Sequence, residues 1–231
     1  GFMVAGVGLG TAMALNGAGA HAFAHIIYKG LLFMAAGAVI TMTGCRKLTD
    51  LSEFRGGLYK RMPMTLTLYM IGAVSISAFP LFSGFVSKSM ILAAAQHDHQ
   101  AIIFLVLTLA SCGTFLSIGL KLPYYMFFGK PSNATSNKYK SDDSLEPPQN
   151  MLIAMAIAAL ICIIIGLFPT LLYDILPYPV DFEPYTASHI TGSLNLLLFT
   201  ALGFFLLLKY MAPKNAISLD SDWFYRRAAR L

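Results

Sequence analysis

Six stretches of this chain are apolar and long enough, in whole or in part, to cross a lipid bilayer, which takes roughly 20 residues as an α-helix. They lie at about 1–15, 18–43, 63–94, 101–128, 150–175 and 189–211. The composition agrees, since 57% of the residues are hydrophobic and 12% are charged, whereas soluble domains carry about 25% charged residues. Because backbone polar groups cannot stay unpaired in lipid, the sequence predicts an all-α, polytopic transmembrane helix bundle.

The composition also excludes several other classes of protein. Three cysteines, at positions 45, 112 and 162, are too few and too far apart for a disulfide-stapled secreted fold. The net charge of +5 does not indicate a nucleic-acid partner, because so apolar a chain has little solvated surface for a basic face. Since no nucleotide-binding, cysteine-cluster or nucleophile-elbow motif occurs, neither a bound cofactor nor soluble-enzyme chemistry is expected. The chain opens on Gly1 without a basic leader, and we interpret it as the C-terminal part of a longer protein.

The polar segments between the stretches divide the charged residues between two faces of the membrane. Successive connections lie on alternate sides of the membrane, so the segments 45–62 and 129–149 and the tail 212–231 fall on one face. Together with the helix end just before the tail, these segments hold thirteen of the 16 Lys and Arg residues. The opposite face carries acidic residues only. By the positive-inside rule, the basic face is cytoplasmic, and the C-terminus with it. The tail combines aromatic residues with arginines and is predicted to lie as an amphipathic segment on the membrane surface.

Three titratable side chains lie at helical spacing in the second stretch. His21, His25 and Lys29, in HAFAHIIYK, follow one another every four residues and therefore fall within about 80° on one helix face. A lysine at the centre of a membrane helix costs about 2.5–3.5 kcal/mol on insertion scales, so a compensating function is expected. Because histidine titrates near neutral pH, the stripe predicts a proton relay.

Two alternatives to the relay remain for this stripe. Each histidine can be a core residue that bonds to a neighbouring carbonyl or hydroxyl, or the two together can bind a metal ion. A metal is not expected, because no carboxylate or cysteine in the same stretch completes the ligand set.

The third stretch, 63–94, is too long for one straight span. Its 32 residues would measure about 48 Å as a helix, against a hydrocarbon core of about 30 Å. The middle reads SISAFPLFSGF, with Pro80, Ser83 and Gly84, which predicts a helix broken within the membrane and lining a polar cavity. Lys88 follows four residues after Gly84 and is predicted to act with the relay. An ordinary kink at Pro80 and snorkelling of Lys88 to the interface are the alternatives.

Two further polar residues are assigned simpler roles. Lys121 is a secondary candidate for the site, but it lies toward the cytoplasmic end of its stretch, where a long side chain can snorkel to the interface. His189 begins the last stretch and is expected to be interfacial and not catalytic.

These motifs, in this order, resemble the proton-conducting antiporter-like subunits shared by Mrp-type sodium/proton antiporters and NADH:quinone oxidoreductase, respiratory complex I. The segments that carry the resemblance are HAFAHIIYKGLLFMAAGAVI, CRKLTDLSEFRGGLYKRMP and IGAVSISAFPLFSGFVSKSMIL. GLKLPYYMFFG and LDSDWFYRR are more similar to the D-type subunits of Mrp antiporters than to complex I subunits. The resemblance implies that residues 1–128 form the second half of an inverted-repeat transporter core. Residues 129–149 would then be a cytoplasmic loop, 150–211 two C-terminal helices and 212–231 the cytoplasmic tail.

The resemblance also implies a function and its residues. His21, His25 and Lys29 match the family's central relay helix, and Lys88 matches the charged residue of its second broken helix. The expected function is proton translocation in the plasma membrane, in exchange for sodium, by a subunit that works with other membrane subunits and has no catalytic chemistry of its own. One alternative is a proton-pumping subunit of a complex I-type NADH:quinone oxidoreductase, driven by electron transfer. The other is a structural membrane subunit without transport.

Overall fold

The computed structural model describes residues 1–51, 57–128 and 144–212, and all the regular elements in that part of the chain are helical. This confirms the predicted helical membrane bundle. The four helices that are long and apolar enough to span a membrane are Ala12–Thr43, Ala101–Phe127, Gln149–Leu167 and Ala187–Leu206. In chain order the α-helices are α1 Phe2–Leu9, α2 Ala12–Thr43, α3 Leu48–Leu51, α4 Leu58–Arg61, α5 Pro63–Ile76, α6 Ser83–His97, α7 Ala101–Thr114, α8 Leu122–Phe127, α9 Gln149–Leu167, α10 Thr170–Tyr173 and α11 Ala187–Leu206.

The boundary between the first two helices differs from the predicted one. The stretches expected at about 1–15 and 18–43 meet instead at Gly10, which takes a φ of 73° and ends α1 in the left-handed conformation that glycine adopts readily. Asn16 falls between the two predicted stretches, but it is a buried residue inside α2. Its side-chain amide donates to the Tyr178 carbonyl at 2.9 Å and accepts from the Tyr178 N–H at 3.2 Å, so its polar atoms are satisfied without a loop.

The break predicted within 63–94 is present between α5 and α6. The two helices have 14 and 15 residues, which is about 21–23 Å each, so neither crosses a core of about 30 Å alone. Residues 77–82 connect them. By contrast, residues 101–127 run on as one helix, in which the seven residues Phe115–Lys121 are π-helical.

Helix α2 forms the centre of the bundle and contacts α1, α5, α6 and α9. Alanines such as Ala24 and Ala35 are fully buried on it and let neighbouring helices approach closely, as small residues do in membrane proteins. The main core joins α2, α5, α8 and α9 around Tyr28, Tyr69 and Phe127, all of them fully buried. The long α2 is therefore held on several sides, and its polar face keeps a fixed position.

Several of the segments expected on the basic face meet at one end of the bundle. The Leu145 N–H donates to the Arg61 carbonyl at 3.0 Å, and the Glu146 carboxylate accepts from the Thr65 hydroxyl at 2.7 Å and from backbone N–H groups in the first turn of α5. A carboxylate is favourable at a helix N-terminus. The rest of the predicted loop, 129–143, and almost all of the predicted amphipathic tail, 213–231, lie outside the described residues.

At the other end, the chain between α9 and α11 is bonded to the broken helix. Tyr173 donates from its hydroxyl to the Val86 carbonyl at 3.2 Å. The Tyr185 hydroxyl donates to the Gly166 carbonyl, and its ring stacks on Phe85 with 5.5 Å between centroids. Burial raises the pKa of Tyr185 to about 12, so the phenol keeps its proton and remains a donor at neutral pH. Tyr173 and the Tyr185 ring thus hold α6 against the chain between α9 and α11.

Candidate functional site

One face of α2 brings His21, His25 and Tyr28 together. The ring centroids of the two histidines are 5.8 Å apart, and that of Tyr28 is 5.3 Å from His25. His21 is 4% exposed, and its Nε2 lies 3.4 Å from the Tyr28 hydroxyl. Sequence reasoning missed Tyr28, although it follows His21 by seven residues, two helical turns, and so shares the polar face.

Lys29 lies at the edge of the same face. Its side chain is half-buried, and its Nζ is 5.9 Å from the centroid of the Phe33 ring, which is itself 73% exposed. A cation–π contact at so exposed a ring contributes about 0.5–1 kcal/mol at most. Lys29 is therefore loosely held compared with His21.

The break in the helix provides a partner for Lys88. Helix α5 ends at Ile76, and the Lys88 ammonium donates to the Ile76 carbonyl at 2.7 Å. Carbonyls at a helix C-terminus carry partial negative charge and lack helical partners, so this end of α5 stabilises a cation in the membrane interior. Lys88 is 3% exposed, and its amine does not reach the interface, in contrast to the snorkelling alternative.

The backbone of the break is constrained at two residues that are not glycine. Ala78 and Leu81 take φ angles of 61° and 73°, a left-handed conformation that costs a residue with a Cβ roughly 1 kcal/mol or more. Pro80 lies between them and cannot continue a helix. Such strain persists only where the surroundings hold it, and it often marks functional sites.

Close packing of the two helix halves explains the other residues predicted at the break. Ser83 is fully buried at the first turn of α6. At Gly84 the Ser75 carbonyl lies so near that a Cβ atom would overlap it. Only glycine permits this approach, which brings the end of α5 against the start of α6.

Helix α2 and the broken helix are joined by a buried hydrogen bond. His21 Nδ1 and Ser87 Oγ lie 3.0 Å apart, and Ser87 is fully buried. Phe2 of α1 lies against both helices: its ring centroid is 5.5 Å from that of His21 and 5.0 Å from the Lys88 amine. Neither Ser87 nor Phe2 was predicted, because only tertiary packing brings them to the site.

The side chains of Phe2, His21 and Lys88 line one cleft of about 340 Å³. It contains both lysines and both histidines of the predicted relay, and the additional polar residues are Tyr28 and Thr114. A space of this size with several polar partners can hold ordered water, and water joins titratable groups that lie too far apart for direct hydrogen bonds. In residues 1–51, 57–128 and 144–212, no three His, Cys, Asp or Glu side chains come together as metal ligands would.

Lys121 is not brought to this cleft. It ends the π-helical segment, is half-buried and is absent from the residues that line the cleft. The segment itself is fixed by the Tyr69 hydroxyl, which donates to the Ile118 carbonyl at 3.0 Å. Snorkelling of Lys121 stays a prediction.

Several known proteins are similar in sequence to this chain over most of its length. Residues 1–117 match the family described as NADH:quinone oxidoreductase/Mrp antiporter, TM. The chain is 30% identical to an uncharacterised protein of Methanocaldococcus jannaschii over 76% of this chain and 35% of that protein. It is 32% identical to Na(+)/H(+) antiporter subunit A1 of Staphylococcus haemolyticus over 76% of this chain and 22% of the subunit. It is 36% identical to NADH-ubiquinone oxidoreductase chain 5 of Hypocrea jecorina over 61% of this chain and 20% of that protein.

These matches confirm the resemblance seen in the motifs. The chain spans about a third of the first relative and about a fifth of the other two. The family match covers half of the 231 residues and includes α2, the break and Lys88. This multi-pass membrane chain belongs to the transmembrane family shared by NADH:quinone oxidoreductases and Mrp antiporters.

Proposed function

We propose that this chain carries a proton path of a membrane antiporter subunit, which moves protons across the bilayer in exchange for Na⁺ within a multi-subunit, Mrp-type complex. The observation that supports the proposal is the single cleft shared by Lys29, His25, His21 and Lys88. All four side chains are ionisable, and ionisable residues inside a membrane typically mark substrate or ion pathways.

In the proposed path, the proton steps along α2 and then crosses to α6. Lys29, His25 and His21 are successive positions on α2, with 5.8 Å between the histidine ring centroids, so water completes each step. The His21–Ser87 hydrogen bond carries the path to the broken helix, where Lys88 receives the proton. Every transfer leaves the donor ready for the next proton, and no group is chemically changed.

Repulsion between like charges couples the two ends of the path. Two cations in a low-dielectric cleft repel more strongly than in water. A proton that arrives at Lys29 therefore favours release from Lys88, and release from Lys88 favours uptake at Lys29. The Ile76 carbonyl supports the charged form of Lys88 without a counter-charge that would hold the proton permanently.

The proposal includes an orientation and partners. The end that gathers 57–62 and 144–148 would face the cytoplasm of the plasma membrane, in accordance with the positive-inside rule. Exposed apolar side chains of α7 and α11, such as Ile102 and Leu198, would face lipid or neighbouring subunits. The antiporter relative named above is an A-type subunit, so a D-type assignment remains a prediction.

A second candidate is a proton-pumping subunit of a complex I-type NADH:quinone oxidoreductase. The observation that favours it is the 36% identity with NADH-ubiquinone oxidoreductase chain 5 of Hypocrea jecorina. The same cleft would carry the protons, but electron transfer would drive their movement. Proton flux would then follow addition of NADH or another electron donor and not a sodium gradient.

The test replaces the two lysines in the complex that contains this chain. Lys29→Ala and Lys88→Ala should each lower sodium-dependent proton flux in membrane vesicles by about 100-fold or more, because a positioned proton-transfer group contributes at least that much. Lys88→Arg should be as slow, since arginine keeps the charge but does not release its proton.

The matched control is Lys60→Ala, at an exposed lysine of α4 away from the cleft. It should keep wild-type flux. Wild-type flux in both Lys29→Ala and Lys88→Ala, in complexes assembled to normal levels, would refute the relay.

A further inference from the structure

Lys88 also borders a second cavity, distinct from the relay cleft. This outer cavity has about 240 Å³ and is enclosed by α6, α7 and α11. Of the residues that line it, Lys88 and His189 are the titratable ones. Lys88 is also the residue shared with the relay cleft, so a proton on its amine has a polar space on either side.

The outer cavity extends from the buried lysine toward the end of α6. Lys88 and Gln96 lie eight residues apart, about 12 Å along a helix, and both line the cavity. Gln96 is exposed and lies in the last turn of α6. The cavity thus connects a residue that is 3% exposed with the surface opposite the basic segments.

Hydroxyl groups on the other two helices make this cavity suitable for water. Thr108 of α7 donates to the Phe104 carbonyl at 2.8 Å, and Ser193 of α11 donates to the Ala78 carbonyl, within the break, also at 2.8 Å. Each hydroxyl has given its hydrogen to the backbone, so its remaining lone pairs are acceptors for water in the cavity.

His189 is held at this cavity with one nitrogen unused. The Thr186 hydroxyl accepts from its backbone N–H at 3.3 Å, and the Phe182 ring lies 5.5 Å from the imidazole, centroid to centroid. Its Nδ1 is buried and has no hydrogen-bond partner among the described residues. A buried imidazole nitrogen without a partner is costly, and His189 nevertheless borders the cavity.

We propose that His189 is a further relay residue, which exchanges protons between Lys88 and the face opposite the basic segments through water in the outer cavity. The inference rests on the proposed function. As the Lys88 ammonium gives its proton to cavity water, a proton carried by that water binds His189. His189 then passes a proton to the outer solution and is neutral again, and Lys88 regains its proton from the relay cleft, so both side chains return to their starting states and no other reactant is needed. This role differs from the interfacial one expected from the sequence.

The test uses His189→Ala and His189→Gln in the complete complex. Both should lower proton flux by about tenfold or more, because neither side chain relays protons by protonation. Imidazole, a small diffusible proton carrier, should restore flux in His189→Ala when it is present at equal concentration on both faces of the vesicles. His97→Ala is the matched control: its side chain is 83% exposed and does not line the cavity, so flux should not change.

Each outcome either supports or overturns the proposed role of His189. Wild-type flux in His189→Gln overturns the inference, and so does a loss in His189→Ala that imidazole does not restore, since that loss would be structural. If the Lys29 and Lys88 variants lose flux while the His189 variants keep it, only the inference about His189 fails. If the lysine variants keep flux, the proposed function itself fails.

Discussion

Replacing Ser87 with alanine tests the contact that joins the two helices of the relay. The Ser87 hydroxyl lies 3.3 Å from the Ser83 carbonyl and 3.4 Å from the Gly84 carbonyl, both in its own helix. The His21 Nδ1 atom is nearer, at 3.0 Å, and which of the two groups donates depends on the histidine tautomer. The other ring nitrogen of His21, Nε2, faces the Tyr28 hydroxyl.

The expected magnitude follows from burial. His21 is 4% exposed and Ser87 is fully buried, so alanine leaves the buried His21 Nδ1 without its partner, at a cost of about 1–3 kcal/mol. Each 1.36 kcal/mol of this that falls on the transfer barrier slows the step tenfold, so proton transfer through His21 should slow by up to about 150-fold. The rest of the cost falls on the folded state, so flux is compared per assembled complex.

The assay is sodium-dependent proton flux in vesicles, normalised to the amount of assembled complex. The matched control is Ser75→Ala: Ser75 is equally buried, but its hydroxyl donates to the Ile71 carbonyl of its own helix at 2.8 Å and not to the relay. Flux should fall in Ser87→Ala alone. Equal flux in Ser87→Ala and wild type would refute the reasoning, and an equal fall in both variants would assign the effect to packing.

Two other substitutions test how the bundle is held. Gly84→Ala places a Cβ atom on the Ser75 carbonyl, so α5 and α6 must separate. The assembled complex should therefore be lost on native gels. The control is Gly113→Ala, where a Cβ meets no atom within 4 Å, and this variant should assemble normally. Glu146→Gln weakens the charged cap on Thr65 and on the N-terminus of α5, so the complex should lose about 1 kcal/mol of stability, measured as a lower thermal unfolding midpoint in detergent. An unchanged midpoint would contradict that role for the carboxylate.

The part of the site that lies along one helix was predictable from the sequence. The spacing of His21, His25 and Lys29 depends only on the period of the α-helix, and the structure has one continuous helix there. Pro80 and Gly84 likewise act locally, the first by ending a helix and the second by permitting close backbone contact. Local rules therefore located the relay face and the break.

The contacts between helices were not predictable in the same way. Ser87 and Phe2 reach His21 only because α6 and α1 pack against α2 at a particular rotation, and no sequence period encodes that rotation. His189 was expected at the interface, since its position at a helix start gives no indication of the cavity beside it. The helix boundary predicted near Asn16 was wrong, because the sequence does not show that this side chain bonds to a residue 162 positions away.

The distance between the break and Lys88 explains why this lysine can lie between two cavities. Side chains on a helix lean toward its N-terminus, so a lysine one turn after Gly84 reaches back from α6 to the end of α5, where it meets the Ile76 carbonyl. In an unbroken helix, that carbonyl would be bonded within the helix and the ammonium would lack a partner in the membrane. The same break leaves the Ala78 carbonyl to Ser193 of α11, which forms part of the outer cavity wall. The single break between α5 and α6 thus stabilises the charge of Lys88 and helps to shape the cavity through which the proposed path continues. Both effects depend on Lys88 lying one turn after Gly84.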